Sequence, residues 1–542
     1  MFGSLRRSAT FFALAVCLSL GSTACRTSEE WAEQADDDVY QVVAERRAAL
    51  ELEDESFTID PPTQNLRRRI EAGAASDPGP VDLAGMLTIA AENSRDYQRR
   101  KELLYLAALD FTLERFNFEN QFDGIGGVAG SGTTGGDEFA QVDGLGRLTR
   151  MLGQGAQIVA DIGLRLVKNV TNGDSWSVVS DLGLSFSQPF LRGFGRRIAQ
   201  ENLTQAERTV IYEVRAFERF RRTFSFDVAT FYFRILQQQN IVRNVEANYA
   251  NLRLLRERNE ALSEAGRLSE IQVDQARQDE LRSKNRLVEE VARTAGLIDD
   301  LKFFLGLPID LDLGVDDAEL DSIELDVDWS SLEEERVVDA ALQRRLDYQT
   351  DLDRLVDRER QALVAADALR AQLDLNIDYN VSSTSDKPFE FDFGDPNWVA
   401  SLDLDLPLNR VAERNNYRNA LIEVQVATRA AQESGDVIRR DLREALREMR
   451  ATRQTYTIQS NSVALAERRV ESTQLNFDAG RATTRDLLEA REDELEAQNA
   501  ETQALVDYHL AVLALLRDLE VLLVTERGLD YDRAALAEIV SS

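Results

Sequence analysis

The chain has 542 residues, 63 of them basic and 96 acidic, for a net charge of −33. Binding to DNA or RNA leans on Lys and Arg neutralising phosphates, so this balance argues against a nucleic-acid partner. A hydrophobic content of 43% is too high for a disordered acidic chain, and the length allows more than one ordinary domain.

Both cysteines, Cys17 and Cys25, stand near the N-terminus. Arg6 and Arg7 precede the apolar run Phe11 to Leu20, and Gly21-Ser22-Thr23-Ala24 lead to Cys25. A basic start, an apolar core too short to span a bilayer and small residues before a cut make residues 1–24 a secretory signal. The small residues ending in cysteine resemble a bacterial lipoprotein signal, in which Cys25 becomes the lipidated first residue. Ser22 stands where such signals usually carry leucine. Simple cleavage near Ala24 is the alternative. A cut before Cys25 leaves one cysteine and no internal disulfide. No later segment offers the roughly 18 uncharged apolar residues of a membrane-spanning helix.

Residues 25–80 read as an acidic arm or linker. They hold a short helix near 42–50, the pair Pro61-Pro62 and the run Asp77-Pro78-Gly79-Pro80. Helical text follows from Val81 to about Leu113. Phe111, Leu113, Phe116, Phe118 and Phe122 then lead into a glycine-rich stretch from Gly124 to Gly155. Ile158, Ala160, Ile162, Leu164 and Leu166 alternate at period two, as do Trp176, Val178, Ser180, Leu182, Leu184, Phe186 and Gln188. These are strand signals, joined by the turn-like Asn172-Gly173.

From Arg196 the period becomes helical, with Phe217, Phe220, Phe224, Val228, Phe231 and Ile235 at spacings of three and four. Ala265-Gly266-Arg267 interrupts the stripe near residue 262, and a second helix ends at Gly306-Leu307-Pro308. A helix of about 65 residues would be on the order of 100 Å long, and such helices are expected to bundle or coil. After the acidic stretch 309–335, helix runs from about Val337 to Ala371. Strand text follows in Leu373, Leu375, Ile377, Tyr379 and Val381, then in Trp398, Ala400, Leu402, Leu404 and Leu406. Helix returns to Asn476, breaks at Ala479-Gly480-Arg481 and continues to about Val524.

The two halves echo each other. Gln188-Pro189-Phe190 and Leu406-Pro407-Leu408 both lead from strand to helix, 218 residues apart, and Gly480-Arg481 follows Gly266-Arg267 by 214. Helix, strand pair, long helix, Gly-Arg break and helix thus occur twice, over 81–308 and 336–527, with a tail at 528–542. A duplicated coiled-coil scaffold of the periplasm or cell surface, carrying small sheets and no pore, is the rival reading.

Over about residues 82–525 this arrangement resembles the TolC family of trimeric outer-membrane efflux and secretion channels. The resemblance implies a mostly α fold, with a long helical barrel and a twelve-stranded transmembrane β-barrel shared by three chains. Each chain would give four strands, here roughly 111–124, 176–188, 372–382 and 397–406, with Pro189 and Pro407 at the strand-to-helix junctions. Sharing answers a physical need, since four strands alone leave bare edges that lipid cannot satisfy. The stretch from Gly124 to Asn172 is longer than an ordinary hairpin loop of the family, contains the extra candidate strand Ile158 to Leu166, and reads as an enlarged external loop or as a strand assignment off by one element. The resemblance also places the two helical tips, Gly266, Arg267 and Ser269 with Gly480, Arg481 and Thr483, against a periplasmic adaptor protein. It places Asp486 and Glu489 in a ring at the constricted periplasmic entrance, with Glu270 or Asp274 in a lesser part. The implied partners are two further copies, the adaptor, an inner-membrane pump or ABC transporter, and outer-membrane lipid.

No enzyme constellation is visible. The one histidine, His509, stands in helical text without a second ligand. The glycines at 126–136 lack the Lys-Ser/Thr of a phosphate loop. No catalytic residue, metal or cofactor is expected. Drugs, metal ions, polysaccharide and protein would all suit such a duct, and the sequence does not choose among them.

Overall fold

The computed structural model describes residues 26–50, 57–60, 65–73, 79–134, 136–171, 175–316, 332–384, 387–525 and 528–541. Cys25 and the leader, Pro61-Pro62, Asn172-Gly173 and most of the acidic linker lie outside these. The elements begin with α1 (Ser28–Ala49), α2 (Leu66–Glu71), β1 (Gly79–Val81), α3 (Leu83–Asn93) and α4 (Arg95–Phe116). Four strands follow, β2 (Gln121–Gly132), β3 (Glu138–Met151), β4 (Gln157–Asn169) and β5 (Ser177–Pro189). Next come α5 (Arg196–Ala199), α6 (Glu201–Glu264), α7 (Glu270–Leu305), β6 (Leu313–Val315), α8 (Glu334–Arg344) and α9 (Leu346–Asp367). The rest are β7 (Gln372–Ser382), β8 (Asn397–Asp405), α10 (Val411–Asp478), α11 (Thr484–Asp518), β9 (Leu522–Thr525), β10 (Gly528–Tyr531) and α12 (Arg533–Ser541). They divide into two compact units, one built from 1–58, 103–214 and 356–426, the other from 59–102, 215–355 and 427–542.

In the first unit β2, β3, β4, β5, β7 and β8 form one antiparallel sheet in that order. This corrects the expectation of four strands. The text from Gly124 to Asn172 is not a loop: it holds most of β2, all of β3 and, as β4, the extra strand expected at Ile158 to Leu166. The first strand also starts later than 111, because Phe111 to Phe116 continue α4. Leu104, Ala108 and Phe111 are buried at helical spacing on that helix.

The partner of α4 is α1, where a short helix was expected. Thr27 and Glu30 form a capping box at its start, with Glu30 N–H donating to Thr27 Oγ1 at 3.2 Å and Thr27 N–H to Glu30 Oε2 at 2.9 Å. Val39, Val42 and Val43 are buried, the Tyr105 hydroxyl donates to Asp36 at 2.7 Å, and Arg46 lies over the Phe111 ring. Residues 28–49 are therefore a docked helix. Farther along, α6 and α9 are joined by the buried Asp357, which accepts from the Tyr212 hydroxyl at 2.5 Å and pairs with Arg208 and Arg360.

The second unit has the main apolar core. The sequence stripe on α6 supplies Phe224, Val228 and Ile235, which with the neighbouring Tyr232 pack against Leu301 and Leu305 of α7, Leu442 and Met449 of α10, and Leu515 of α11. Tyr97 of α4 has its ring centre 5.3 Å from that of Phe224, and Phe304 lies 5.4 Å from Phe224 on a stacked plane. Helix α11 ends at Asp518, short of the expected Val524, because Leu522–Thr525 pairs with Gly528–Tyr531. The tail then adds Ala535, Leu536 and Ile539 of α12 to the core.

Where α11 ends, Glu520 takes a left-handed backbone, φ 59°, a conformation that favours glycine. That conformation closes the helix end, Val521 N–H bonding to Leu516 O at 3.1 Å, and the carboxylate of Glu520 is anchored there. Its side chain is 3% exposed and held by Arg219 and by Arg222 at 2.5 Å, while Arg219 also reaches Asp347 at 3.1 Å and Arg345 clasps Asp347 at 2.7 Å. Five charges share one cluster, buried at Glu520 and Arg345 and opening towards solvent at Asp347.

Candidate functional site

Directly paired residues share a sheet face, so the register fixes what each side presents. One row across all six strands reads Phe122, Leu148, Ala160, Leu184, Tyr379 and Trp398. The adjacent row, on the opposite face, reads Asp123, Arg147, Asp161, Gly183, Asn380 and Asn397. The first face carries charge only near strand ends, at Glu138, Arg150 and Lys168. Yet it is not a covered core: Phe122 is 77% exposed, Leu184 48% and Trp398 66%. A soluble sheet buries such a face, and lipid is the solvent that would cover this one. The polar face is cross-linked by its own side chains. Arg165 meets Asp143 at 3.3 Å, Ser382 donates to Asp181 at 2.8 Å and Asn376 donates to Asp403 at 2.7 Å.

Strand ends give way to helix at both expected prolines. Pro189 is the last residue of β5, and Phe190 N–H continues the ladder to Leu373 O at 2.8 Å. Pro407 lies two residues past β8, its carbonyl accepting from Arg410 at 3.1 Å.

The two tips have matching backbones. Gly266 has φ 68° and Gly480 φ 69°, each ending its helix as only glycine does without strain. Arg267 N–H bonds to Leu262 O and Arg481 N–H to Asn476 O, both at 2.8 Å. The restarts differ. Ser269 begins α7 with no side-chain hydrogen bond, whereas Thr483 closes a capping box with Asp486. Leu255, Phe477 and Leu487 form a small core behind the tips, and Asn259 donates to the buried Thr484 hydroxyl at 3.2 Å.

The expected gate pair is exposed, but each member already has an intrachain partner. Asp486 Oδ2 accepts from Thr483 N–H at 2.7 Å and from its hydroxyl at 2.8 Å, and the backbone N–H above all holds the Asp486 carboxyl below the usual range. Glu489 pairs with Arg469 at 3.0 Å, and Arg469 also reaches Asp493. Sequence reasoning found the carboxylates and missed Arg469, which stands 20 residues upstream on another helix. Beside them α6, α7 and α11 enclose a polar cleft of about 520 Å³, lined by as many guanidiniums as carboxylates, among them Arg286, Arg491, Asp279 and Glu489.

No protein-family model and no curated protein sequence matches the chain. Solved structures do. The CmeC outer-membrane channel of Campylobacter jejuni aligns at TM-score 0.56 and 15% identity over 85% of this chain and 89% of its own. VceC of Vibrio cholerae aligns at 0.56 and 16% over 81% and 95%, and CusC at 0.58 and 14% over 84% and 95%. This is the TolC-like outer-membrane channel fold. The likeness read from the sequence thus holds for the fold, and the TolC-like arrangement covers nearly the whole length of those channels. Among the described residues no helix is long and apolar enough to cross a membrane, and no group of three or more His, Cys, Asp or Glu is placed to hold a metal ion.

His509 packs beside the TolC-like helical core. Its ring meets that of Phe233 edge-on at 4.5 Å, and burial pushes its pKa down to about 4. A base whose folded pKa lies below its unfolded value costs stability as pH falls. The unfolded chain takes up a proton near pH 6.5, and the folded one does so only near 4. Stability should therefore decline across that window by up to about 3 kcal/mol. His509→Phe should lose less over the same interval. Denaturant midpoints at pH 7 and pH 4.5 test this, and equal losses in both proteins would remove His509 from the account.

Proposed function

We propose that this chain is the outer-membrane channel subunit of a Gram-negative efflux or type I secretion machine, working as a homotrimer. The observation that supports this best is the exposed apolar face of the six-stranded sheet, backed by a polar face, in a chain with the TolC-like fold. Strands of 9 to 14 residues suit a bilayer crossing, which takes about 9–11 tilted residues. The helical part would stand in the periplasm, and Cys25, if lipidated, would add an anchor. The channel would conduct passively. An inner-membrane pump or transporter would supply energy, and an adaptor would meet the tips at Gly266, Arg267, Ser269, Gly480, Arg481 and Thr483. The helix, strand and helix order occurs twice, with four strands in the first half and two in the second, and supports a two-fold internal repeat with an enlarged first sheet segment.

Three-fold symmetry would gather the copies of Asp486 and Glu489 around the entrance, giving a throat that attracts cations. Opening would then draw Glu489 away from Arg469. Replacing both carboxylates with alanine should raise leak or change ion preference in planar bilayers. Conductance and selectivity identical to the parent would sink the gate assignment.

Membrane separation on a gradient, with the native mass of the detergent-extracted protein, tests the whole reading. An outer-membrane trimer is the expected result. A monomer or dimer released without detergent overturns it.

A further inference from the structure

We infer that the sheet closes with eighteen strands, the β2 edge of one copy pairing with the β8 edge of the next, so that the barrel is wider than the twelve strands the resemblance implies. The inference rests on the trimeric channel reading above and adds the contact that makes the ring. It begins with the sheet order, which leaves β2 and β8 as the two edges. Each edge strand spans a membrane-crossing length, 12 residues in β2 and 9 in β8. Neither contains the Lys or Pro that blunts the edges of soluble sheets. In lipid such edges must be satisfied, and nothing else in the chain's sheet remains to satisfy them.

Three features of the edges fit a second copy. Six alternating strands put β2 and β8 antiparallel to each other, so β8 from a neighbour meets β2 antiparallel. The apolar side of β2, with Phe122 and Val128, lies on the same face as Trp398, Leu402 and Leu404 of β8. Docking thus continues one lipid-facing band. The register also carries the slant of a closed barrel. Gln121, the first residue of β2, is level in turn with Thr149, Val159, Ser185, Asp378 and Val399. Val399 stands six residues before Asp405, where β8 ends. That is a shift of roughly one residue per strand, the stagger that accompanies a tilt of about 35–45°.

The added strands are built into the sheet. The β2–β3 ladder has 12 paired rows and the β3–β4 ladder 13, against 9 in each ladder of β7. The turn from β3 to β4 is pinned as well. Gly195 N–H bonds to Gln154 O at 3.2 Å, and a Cβ on Gly155 would fall 2.8 Å from Gly193 O. Barrel diameter grows about linearly with strand number, so eighteen strands give a bore about half again as wide as twelve.

Cysteine pairs test the contact in the full-length chain in outer-membrane vesicles. Gly126→Cys or Val128→Cys in β2 is combined with Ala400→Cys or Leu402→Cys in β8, and a short bifunctional thiol reagent is added. Covalent dimers and trimers on denaturing gels are expected. Ile162→Cys in β4 combined with Leu402→Cys should give none. Links from β4 to β8 in an outer-membrane trimer would overturn the wider barrel and leave the channel reading intact. A native dimer, which would close with twelve strands, or a protein absent from the outer membrane, overturns both. Imaging of the unsubstituted oligomer down its axis decides the point without any variant: six strands per copy in the wall support the inference, and four overturn it.

Discussion

Arginine in place of Leu184 should nearly abolish assembly into the membrane. Leu184 lies in the middle of β5, paired with Ala160 on one side and Tyr379 on the other, on the face that bears no charge away from its ends. A lipid-facing Arg at mid-depth costs about 2–4 kcal/mol, and the proposed trimer would carry that cost three times. Outer-membrane protein, measured by membrane fractionation, should fall by at least about 30-fold. Ser185→Arg is the matched control one residue on, between Val159 and Asp378 on the polar face. It should assemble within about twofold of the parent. Equal loss at both positions would mean that the faces are not lipid and water, and would remove the barrel.

The second large effect is expected in the helical core. Glu520→Ala leaves Arg219 and Arg222 without the carboxylate that both of them hold. Removing one partner of a fully buried pair costs about 3–5 kcal/mol, and the partial exposure of Arg219 and Arg222, with Asp347 still beside Arg219, puts the loss at the lower end of that range. Glu520→Gly loses the same pairs but relieves the left-handed backbone, so it should be milder by about 1 kcal/mol. Chemical denaturation of the helical signal measures both. A Glu520→Ala loss below about 1 kcal/mol would show that the cluster is as cheap to break as a surface pair.

Much of this was legible in the amino-acid text, because long helices and edge-to-edge alternation are local patterns. The stripe Phe217 to Ile235 lies on α6, where Phe224, Val228 and Ile235 enter the core, and both Gly-Arg breaks fall at helix ends. The missing strands have a physical explanation. On the apolar face of β2 and β3, Gly124 stands opposite Gly146 and Gly126 opposite Gly144. Four places in the expected stripe therefore carry no side chain, and a period-two signal vanishes where pairing is nonetheless complete. Phe111 misled in the opposite direction, since an aromatic near a strand looks like part of it, although its partner Arg46 is far away in sequence. The same distance hid the hold of Arg469 on Glu489. The capping box of Thr483 and Asp486 could have been read directly from a Thr three residues before an Asp at a helix start.

The sheet also sets an order of events for its own formation. Strands β2 to β5 are successive neighbours joined by short connections, so that meander can form as soon as residues 121–189 are available. The next rung is different: Ser187 bonds to Asn376 across 189 residues. Contacts that distant are slow to find, because a long loop must be closed first. The nascent meander therefore waits with the β5 edge bare until two long helices have been made and β7 arrives. During that wait the β5 edge is open to the wrong strand, and a chaperone that shields it would guard the slowest step in building the wall.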